Sequence, residues 1–362
     1  MSLDIVLIVG SLVVILVAAE LFTNGIEWFG HRLNLAEGAV GSILAAVATA
    51  MPETLIPVIA IVGPLLSGEP NAAAAEVGIG AILGAPFMLS TLAMFVTGVA
   101  VLVYRARGRR SSSEMVVNVR VLGRDVTFFL AAYGLAIGAA FLPTSLSAIK
   151  YVVAAGLLVG YAIYVRAHFT DEVIETDEAE LSRLHFTRIG VWRVEASADA
   201  SPAPRLRIIT IQVLAALALI VVAARVFVGA VEDLSWAIGL DGRILALIVA
   251  PIATELPEKF NSVLWVRNGK DTLAMGNLTG AMVFQSCLPT VLALLFTEWA
   301  FRADNALSFA SAGAAFIATL VIFGGMLRRG RLNAWLLLLG GPLYVAYVAA
   351  ALFLPFGVGG GH

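Results

Sequence analysis

The sequence predicts an all-α integral membrane protein with about ten transmembrane helices in two inverted five-helix repeats. Three observations carry this. Of its 362 residues 60% are hydrophobic and 13% charged, with a mean hydropathy of +0.94, far from the balance of a water-soluble domain. Ten apolar runs are long enough to cross a bilayer, and spans this long and continuous satisfy their backbone in hydrocarbon only as helices. Finally, Ala48 to Glu53 (Ala-Thr-Ala-Met-Pro-Glu) in the second run returns in the seventh as Ala253 to Glu258 (Ala-Thr-Glu-Leu-Pro-Glu).

The runs cover about 4–27, 37–62, 77–103, 126–142, 148–167, 207–230, 243–266, 272–297, 306–327 and 333–354. The first follows Asp4 without a basic leader region, and Val17-Ala18-Ala19 is a faint cleavage signal. It has a counterpart deep in the chain, so it is expected to stay as a helix. Residues 1–167 form the first repeat, with its motif region at 41–90. Residues 207–362 form the second, with its motif region at 244–290. Between them, 168–206 is the one sizeable polar segment, with an acidic cluster (Asp171, Glu172, Glu175, Asp177, Glu178, Glu180) and a Ser197 to Pro204 linker. It reads as a solvated connector, since a calcium loop with its central Gly is missing.

Basic residues set the orientation. Arg105, Arg107, Arg109, Arg110, Arg120 and Arg124 fill one loop, Arg183, Arg188, Arg193 and Arg205 the long connector, and Arg328, Arg329 and Arg331 follow the ninth run, all on one side of ten helices. That side is predicted to be cytoplasmic, with both termini outside an inner (plasma) membrane. Trp28, Trp236, Trp265, Trp299 and Trp335 fall near helix ends and read as interfacial anchors.

A shift of 205 residues lays 18–53 on 223–258 without a gap, with 11 of 36 positions identical, among them Phe22 on Phe227 and Glu27 on Glu232. Five helices per repeat is odd, so the copies enter the membrane from opposite sides. Secondary transporters share this architecture and bind substrate near the midplane, between the repeats.

Other classes fit poorly. A net charge of −2 gives no sign of a nucleic-acid partner, and the lone Cys287 excludes a disulfide framework. His31, His168, His185 and His362 fall in loops or the tail, and no His-Glu-x-x-His occurs, so an intramembrane zinc hydrolase lacks its ligands. An enzyme acting on lipid phosphate would want Arg or His beside the carboxylates and a Ser-rich cradle, which Arg225 alone does not supply. A scaffold leaves the matched glutamates unexplained. The chain is expected to be no enzyme and to carry no cofactor.

A carboxylate at mid-membrane costs about 2.5 to 3.5 kcal/mol even on a lenient scale, so Glu53 and Glu258 at matched positions make a site. Each follows a proline. Pro52 cannot donate to the carbonyl of Ala48, nor Pro257 to that of Ala253, which frees a carbonyl one turn from each glutamate. Thr49 and Thr254 stand four residues before Glu53 and Glu258, on the same helical face. Two carboxylates, hydroxyls, freed carbonyls and an amide can supply the six to eight oxygens calcium takes. Sodium or protons can replace it by charge arithmetic, and an empty site of two close carboxylates is self-repulsive, so exchange follows.

These segments resemble the α-repeats of the calcium/cation antiporter superfamily, which includes sodium/calcium exchangers. The resemblance rests on Gly41 to Glu53 with Gly80-Ala-Ile-Leu-Gly84, and on Ile248 to Glu258 with Gly276-Asn277-Leu278-Thr279-Gly280. It implies ten helices, with the second, third, seventh and eighth around the ions and the first and sixth sliding across that core. It also implies Glu53 and Glu258 as acidic ligands, with Thr49, Thr254, Asn277 and Gln285 beside them. The transported ions are then Ca2+ and Na+ or H+, with the bilayer as the other partner, and a monomer is expected to suffice. The third helix departs from the family pattern, having Ala81, Ala85 and Leu89 where polar residues are usual and an added Pro86. Ala281 replaces a Ser in the eighth.

Glu255 adds a carboxylate to the second motif. Lys259, four residues on, makes it a compensating ion pair ahead of a ligand and a gate, and can serve as a built-in monovalent cation. Glu20 and Arg225 are repeat-related and opposite in charge, which reads as a structural or gating pair across the pseudo-two-fold. Asn24 follows Glu20 by one turn, as a cap or as a lining residue of the path.

Overall fold

The computed structural model describes residues 2–66, 68, 72–171, 181–188, 204–237 and 255–353. Each repeat opens on a long apolar helix, α1 (Ser2–Arg32) and α9 (Leu206–Ala237). The two run antiparallel, with Ile15 against Ala223 and Gly25 against Val213. Their outer faces stay exposed, through Val6, Val9, Val13 and Val17 on α1 and Leu214, Val222 and Val226 on α9. Such a face suits lipid.

After α1 the chain turns at Asn34 (φ 51°) into a π-helical turn, Ala39–Ala45, followed by α2 (Ala46–Thr49) and α3 (Met51–Leu66). The helix breaks at Ala50, whose ψ is 0°. A single span runs through α4 (Ala72–Met88), a second π-helical turn at Leu89–Ala93, and α5 (Met94–Ala106). Pro86 removes a backbone donor just before that turn, a usual origin of such a bulge. Next come α6 (Val119–Ala139), whose first N–H groups are capped by the Asn118 side chain, and α7 (Ile149–Phe169), then the short α8 (His185–Arg188). After α9 follow α10 (Leu256–Arg267), α11 (Asp271–Phe296), α12 (Ala306–Arg329), α13 (Ala334–Leu337) and α14 (Gly340–Phe353).

Among the described residues eight helices are long and apolar enough to cross a membrane. Two of the ten expected runs are missing from that set, 37–62 and 243–266. Both carry the Pro-Glu motif: the first is broken into pieces, and the second is described only from Glu255 on.

The centre of the molecule is α11, with 22 of 26 residues buried. It has no lipid face, although half its side chains are polar or small. Glycine makes this possible where the 39–45 turn crosses it. A Cβ on Gly280 would run into the backbone of Ser42, and one on Gly276 would come within 2.9 Å of the Ser42 hydroxyl. One end of α11 is fixed by Arg110, which grips Asp271 through two hydrogen bonds of 2.7 and 2.5 Å. A two-stranded antiparallel ribbon, β1 (Glu114–Met115) with β2 (Leu332–Asn333), ties the same loop to the end of α12, with Glu114 opposite Asn333.

Several sequence expectations change here. Trp28, Trp265 and Trp299 are buried rather than interfacial, because each indole N–H finds an internal acceptor: the carbonyl of Ser182 (2.8 Å), Glu27 (3.0 Å) and the carbonyl of Ala136 (2.8 Å). Trp335 is 58% exposed. His31 and His185 lie within α1 and α8, and His168 is buried in the last turn of α7. Within the acidic cluster only Asp171 belongs to the described residues. Its carboxyl is hydrogen-bonded to Arg124 at 2.8 and 2.9 Å, which holds it below the usual carboxylate range.

The Gly280 crossing has a direct consequence for stability. Gly280→Ala should destabilise the folded protein by about 1–3 kcal/mol, the usual cost of overpacking. Gly313→Ala on α12, where nothing lies within 4 Å of the added methyl, should not lower stability. Thermal unfolding of both variants in detergent checks the contrast.

Candidate cation site

Two helix starts supply the carboxylates. α3 begins Met51-Pro52-Glu53 and α10 begins Leu256-Pro257-Glu258. Proline is at home in a first turn, where no intrahelical acceptor waits for its N–H. The glutamate after it sits where free N–H groups and the helix dipole favour negative charge. Glu53 and Glu258 are 8% and 1% exposed. None of their four carboxylate oxygens has a hydrogen-bond partner of good geometry. An unpaired buried carboxylate is among the costliest groups to hold, and a cation is the kind of partner that offsets such a cost.

Ala50, Glu53, Ala85, Leu89, Glu255, Glu258 and Gln285 line one narrow space between the repeats. The first repeat gives one carboxylate among apolar groups. The second gives only polar ones. Ala50 and Glu255 are repeat-equivalent, as are Leu89 and Gln285, so the difference lies in side chains on a shared backbone plan.

Lys259 closes on Glu255 at 2.8 Å within α10, both buried. Asn277 and Thr49 stand beside the space and stitch the motifs together. The Asn277 amide donates to the carbonyl of Glu258 (3.3 Å), and the Thr49 hydroxyl donates to the carbonyl of Ala45 (3.0 Å) and to Asn277 Oδ1 (3.3 Å). Thr254 lies outside the described residues. Among those described, no three His, Cys, Asp or Glu side chains gather tightly enough to hold a metal ion alone. Oxygen atoms besides those of the glutamates are at hand in the Gln285 amide on the same space and in the Thr49 hydroxyl beside it.

The pairing expected of Glu20 and Arg225 is not made. Glu20 is held by Arg267 at 3.2 Å and lies 3.9 Å from His185, while Arg225 is exposed on α9. The antiparallel register is the reason. With Ile15 on Ala223 and Gly25 on Val213, Glu20 falls level with residue 218, seven residues or about 10 Å of helix from Arg225. Asn24 binds the connector instead, through Ser182 Oγ at 2.9 Å and His185 N at 3.0 Å.

Two buried polar groups escaped the sequence reading. Asn261, three residues after Glu258 in α10, is fully buried with neither amide atom partnered. Its same-face spacing from Glu258 was the available signal. Asp125 and His168 are also fully buried and 2.9 Å apart. Each lies one residue outside an expected run, 126–142 or 148–167, and so was never weighed as an intramembrane charge.

The chain matches the family model described as sodium/calcium exchanger protein over residues 3–169 and 208–353. Its fold is similar to solved structures of the sodium-calcium exchanger NCX_Mj. Against the form soaked with 10 mM Na+ and zero Ca2+ the TM-score is 0.69 at 16% identity, covering 96% of this chain and 98% of that one. Against the form soaked with zero Na+ and Ca2+ it is 0.70 at 15% identity, with the same coverage. No curated protein sequence matches.

Removing one unpaired carboxylate separates its cost from its use. Glu258→Gln should unfold at a higher temperature than the parent in chelator. Calcium at about 100 times its dissociation constant should stabilise the parent by ~2.7 kcal/mol and leave the variant unmoved. Thermal unfolding in detergent with and without calcium reads both effects.

Proposed function

The chain belongs to the sodium/calcium exchanger protein family and is a multi-pass membrane cation antiporter, and from that premise we propose that it exchanges calcium for sodium by alternating access. It is a transporter rather than an enzyme. The observation that carries the finer reading is the pair of buried, unpartnered carboxylates, Glu53 and Glu258, one from each repeat, on one narrow space. Gln285 adds an amide to that space, with Thr49 and Asn277 as supporting groups at its edge, and Thr254, outside the described residues, is assigned the same role from its match to Thr49 in the repeat.

Charge balance narrows the exchange. Glu255 and Lys259 cancel as a buried ion pair, which leaves two negative charges, on Glu53 and Glu258. One calcium ion neutralises them, and so do two sodium ions. Lys259 thereby stands where an additional monovalent cation would otherwise be needed, and exchange is electroneutral. Access changes as α1 and α9 move over the core, which breaks and remakes the contacts of Glu20 with Arg267 and of Glu27 with Lys270. The basic face is cytoplasmic, with both termini and the opposite loops outside.

A second reading has its own support. Ala50, Ala85 and Leu89 leave Glu53 as the one source of side-chain oxygens on the first-repeat side of the space, which favours a cation needing fewer ligands. Protons as the coupling ion satisfy that condition, because they need only the carboxylates.

Proteoliposomes under separately imposed sodium and pH gradients decide between these, with calcium, manganese and sodium movement followed. A sodium gradient should drive calcium, and Glu258→Gln should fall to the protein-free background; flux that survives in this variant sinks the site assignment.

Lys259→Ala exposes a third carboxylate and should raise the number of sodium ions bound per cycle, making flux sensitive to membrane potential. Unchanged stoichiometry and sodium dependence in that variant would show that Lys259 replaces no ion.

A further inference from the structure

A second buried polar cluster lies away from the glutamate space, where α6, α7, α11 and the 39–45 turn meet. Asp125 of α6 is its hub. Its Oδ2 accepts from the hydroxyls of Ser42 (2.7 Å) and Thr279 (2.6 Å). Its Oδ1 accepts from the Tyr164 hydroxyl (2.9 Å) and lies 2.9 Å from His168 Nε2. His168 Nδ1 lies 3.0 Å from the carbonyl oxygen of Tyr164, one turn back in α7. Asp125 and His168 are both wholly buried.

The partners count the protons. A carbonyl oxygen only accepts, so Nδ1 must carry a hydrogen. The contact between Nε2 and Oδ1 also needs one, on the ring or on the carboxyl. Ring and carboxyl together therefore hold one proton more than a neutral imidazole beside a carboxylate. Its removal sets two lone pairs against each other and leaves a net negative charge with no water near it, a costly state.

We propose that Asp125 and His168 form a proton-binding site, distinct from the cation space, whose occupancy holds the crossing of the 39–45 turn with α11. Both hydroxyls on Oδ2 come from the segments that cross at Gly276 and Gly280. The same segments run on to Thr49 and to Asn277, which touch each other beside the glutamates. Proton loss loosens the clamp and carries to the transport site through two short stretches of helix.

The groups facing the dyad do not compensate for the lost charge. Arg124 of α6 acts on Asp125, and Asp171, just past α7, acts on His168, but these two pair with each other; Arg120 lies beyond them. Tyr161 stands beside Tyr164, ring centroids 5.9 Å apart. The turn and α11 bring only the Ser42 and Thr279 hydroxyls among the described residues. The clamp therefore stands with the shared proton bound and is lost with it.

The test uses the full chain. In nanodiscs with ring-15N histidine, the His168 signal is the one lost in His168→Gln. At neutral pH it should show a hydrogen on Nδ1 and a second shared between Nε2 and Asp125. A neutral ring with one bare nitrogen overturns the site, and this readout stands even if sodium/calcium exchange itself fails. In proteoliposomes, gradient-driven flux of the parent should fall roughly 5-fold or more as pH is raised, the scale of an ordinary allosteric coupling. His168→Gln, whose amide donates to Asp125 without titrating, should lose that fall, and superimposable profiles overturn the coupling. Should that variant not fold, Ser42→Ala keeps the dyad and cuts one tether. It should keep the parent's ring signal and flatten the alkaline fall, and an unaltered fall overturns the coupling again.

Discussion

A carboxylate carried into a membrane protein needs a partner, and this chain withholds one from Glu53 and Glu258. The surroundings follow from that constraint. Each glutamate occupies the first turn of a helix begun by a proline, where the backbone offers the positive end of its dipole in place of a counter-ion. A helix start at mid-membrane leaves broken backbone behind it, and in lipid such backbone survives only when enclosed by protein. Enclosure falls to α11, buried on every side and notched by Gly276 and Gly280 so that the broken segment can press against it. Asn277 then links Thr49, just before the break at Ala50, to the first turn of α10.

The duplicated plan is used unequally. Ala50 and Leu89 stand where the second repeat has Glu255 and Gln285, and all four face the same space. The first copy thus keeps the backbone device and a single charge, while the second adds the remaining polar side chains on that space. Lys259 belongs to this division. It sits one turn from Glu255 on the same helix, so the extra carboxylate arrives with its own neutraliser and the net charge facing an ion is that of the two matched glutamates alone. The Glu255–Lys259 pair can thus tune the space without changing its total.

How much of this could be read from residues depended on whether a signal was local. Glu53 and Glu258 were legible because a carboxylate after a proline stands out in an apolar run, and duplication doubled it. The break at Ala50 followed from the proline two residues on. The Asp125 and His168 dyad was not legible, because its members are distant in sequence and each lies one residue beyond an expected run, where a charge reads as loop. Glu20 and Arg225 failed for the opposite reason. Repeat equivalence does not imply contact, since antiparallel packing sets α1 against α9 in a register about seven residues away from that pairing. Trp28, Trp265 and Trp299 were misread because nearness to a helix end says nothing about whether an acceptor waits inside.

The contacts between α1 and the core show what a moving pair of helices must give up. Glu20 and Glu27 reach Arg267 and Lys270 at the far end of α10, and Trp265 joins Glu27 as well. Arg267 and Trp265 belong to the helix whose first turn carries Glu258, and Lys270 lies just beyond its end, so α1 is tied to the element that carries that glutamate. The Glu20–Arg267 pair is partly exposed, and surface pairs contribute only about 0 to 1 kcal/mol, whereas the Glu27–Lys270 pair is more enclosed. The interior is the reverse. Two buried carboxylates on one space repel each other, and holding them there without a hydrogen-bond partner is costly. The larger uncompensated cost thus lies at the centre, in the unmet charge on Glu53 and Glu258, and not in the pairs between α1 and α10.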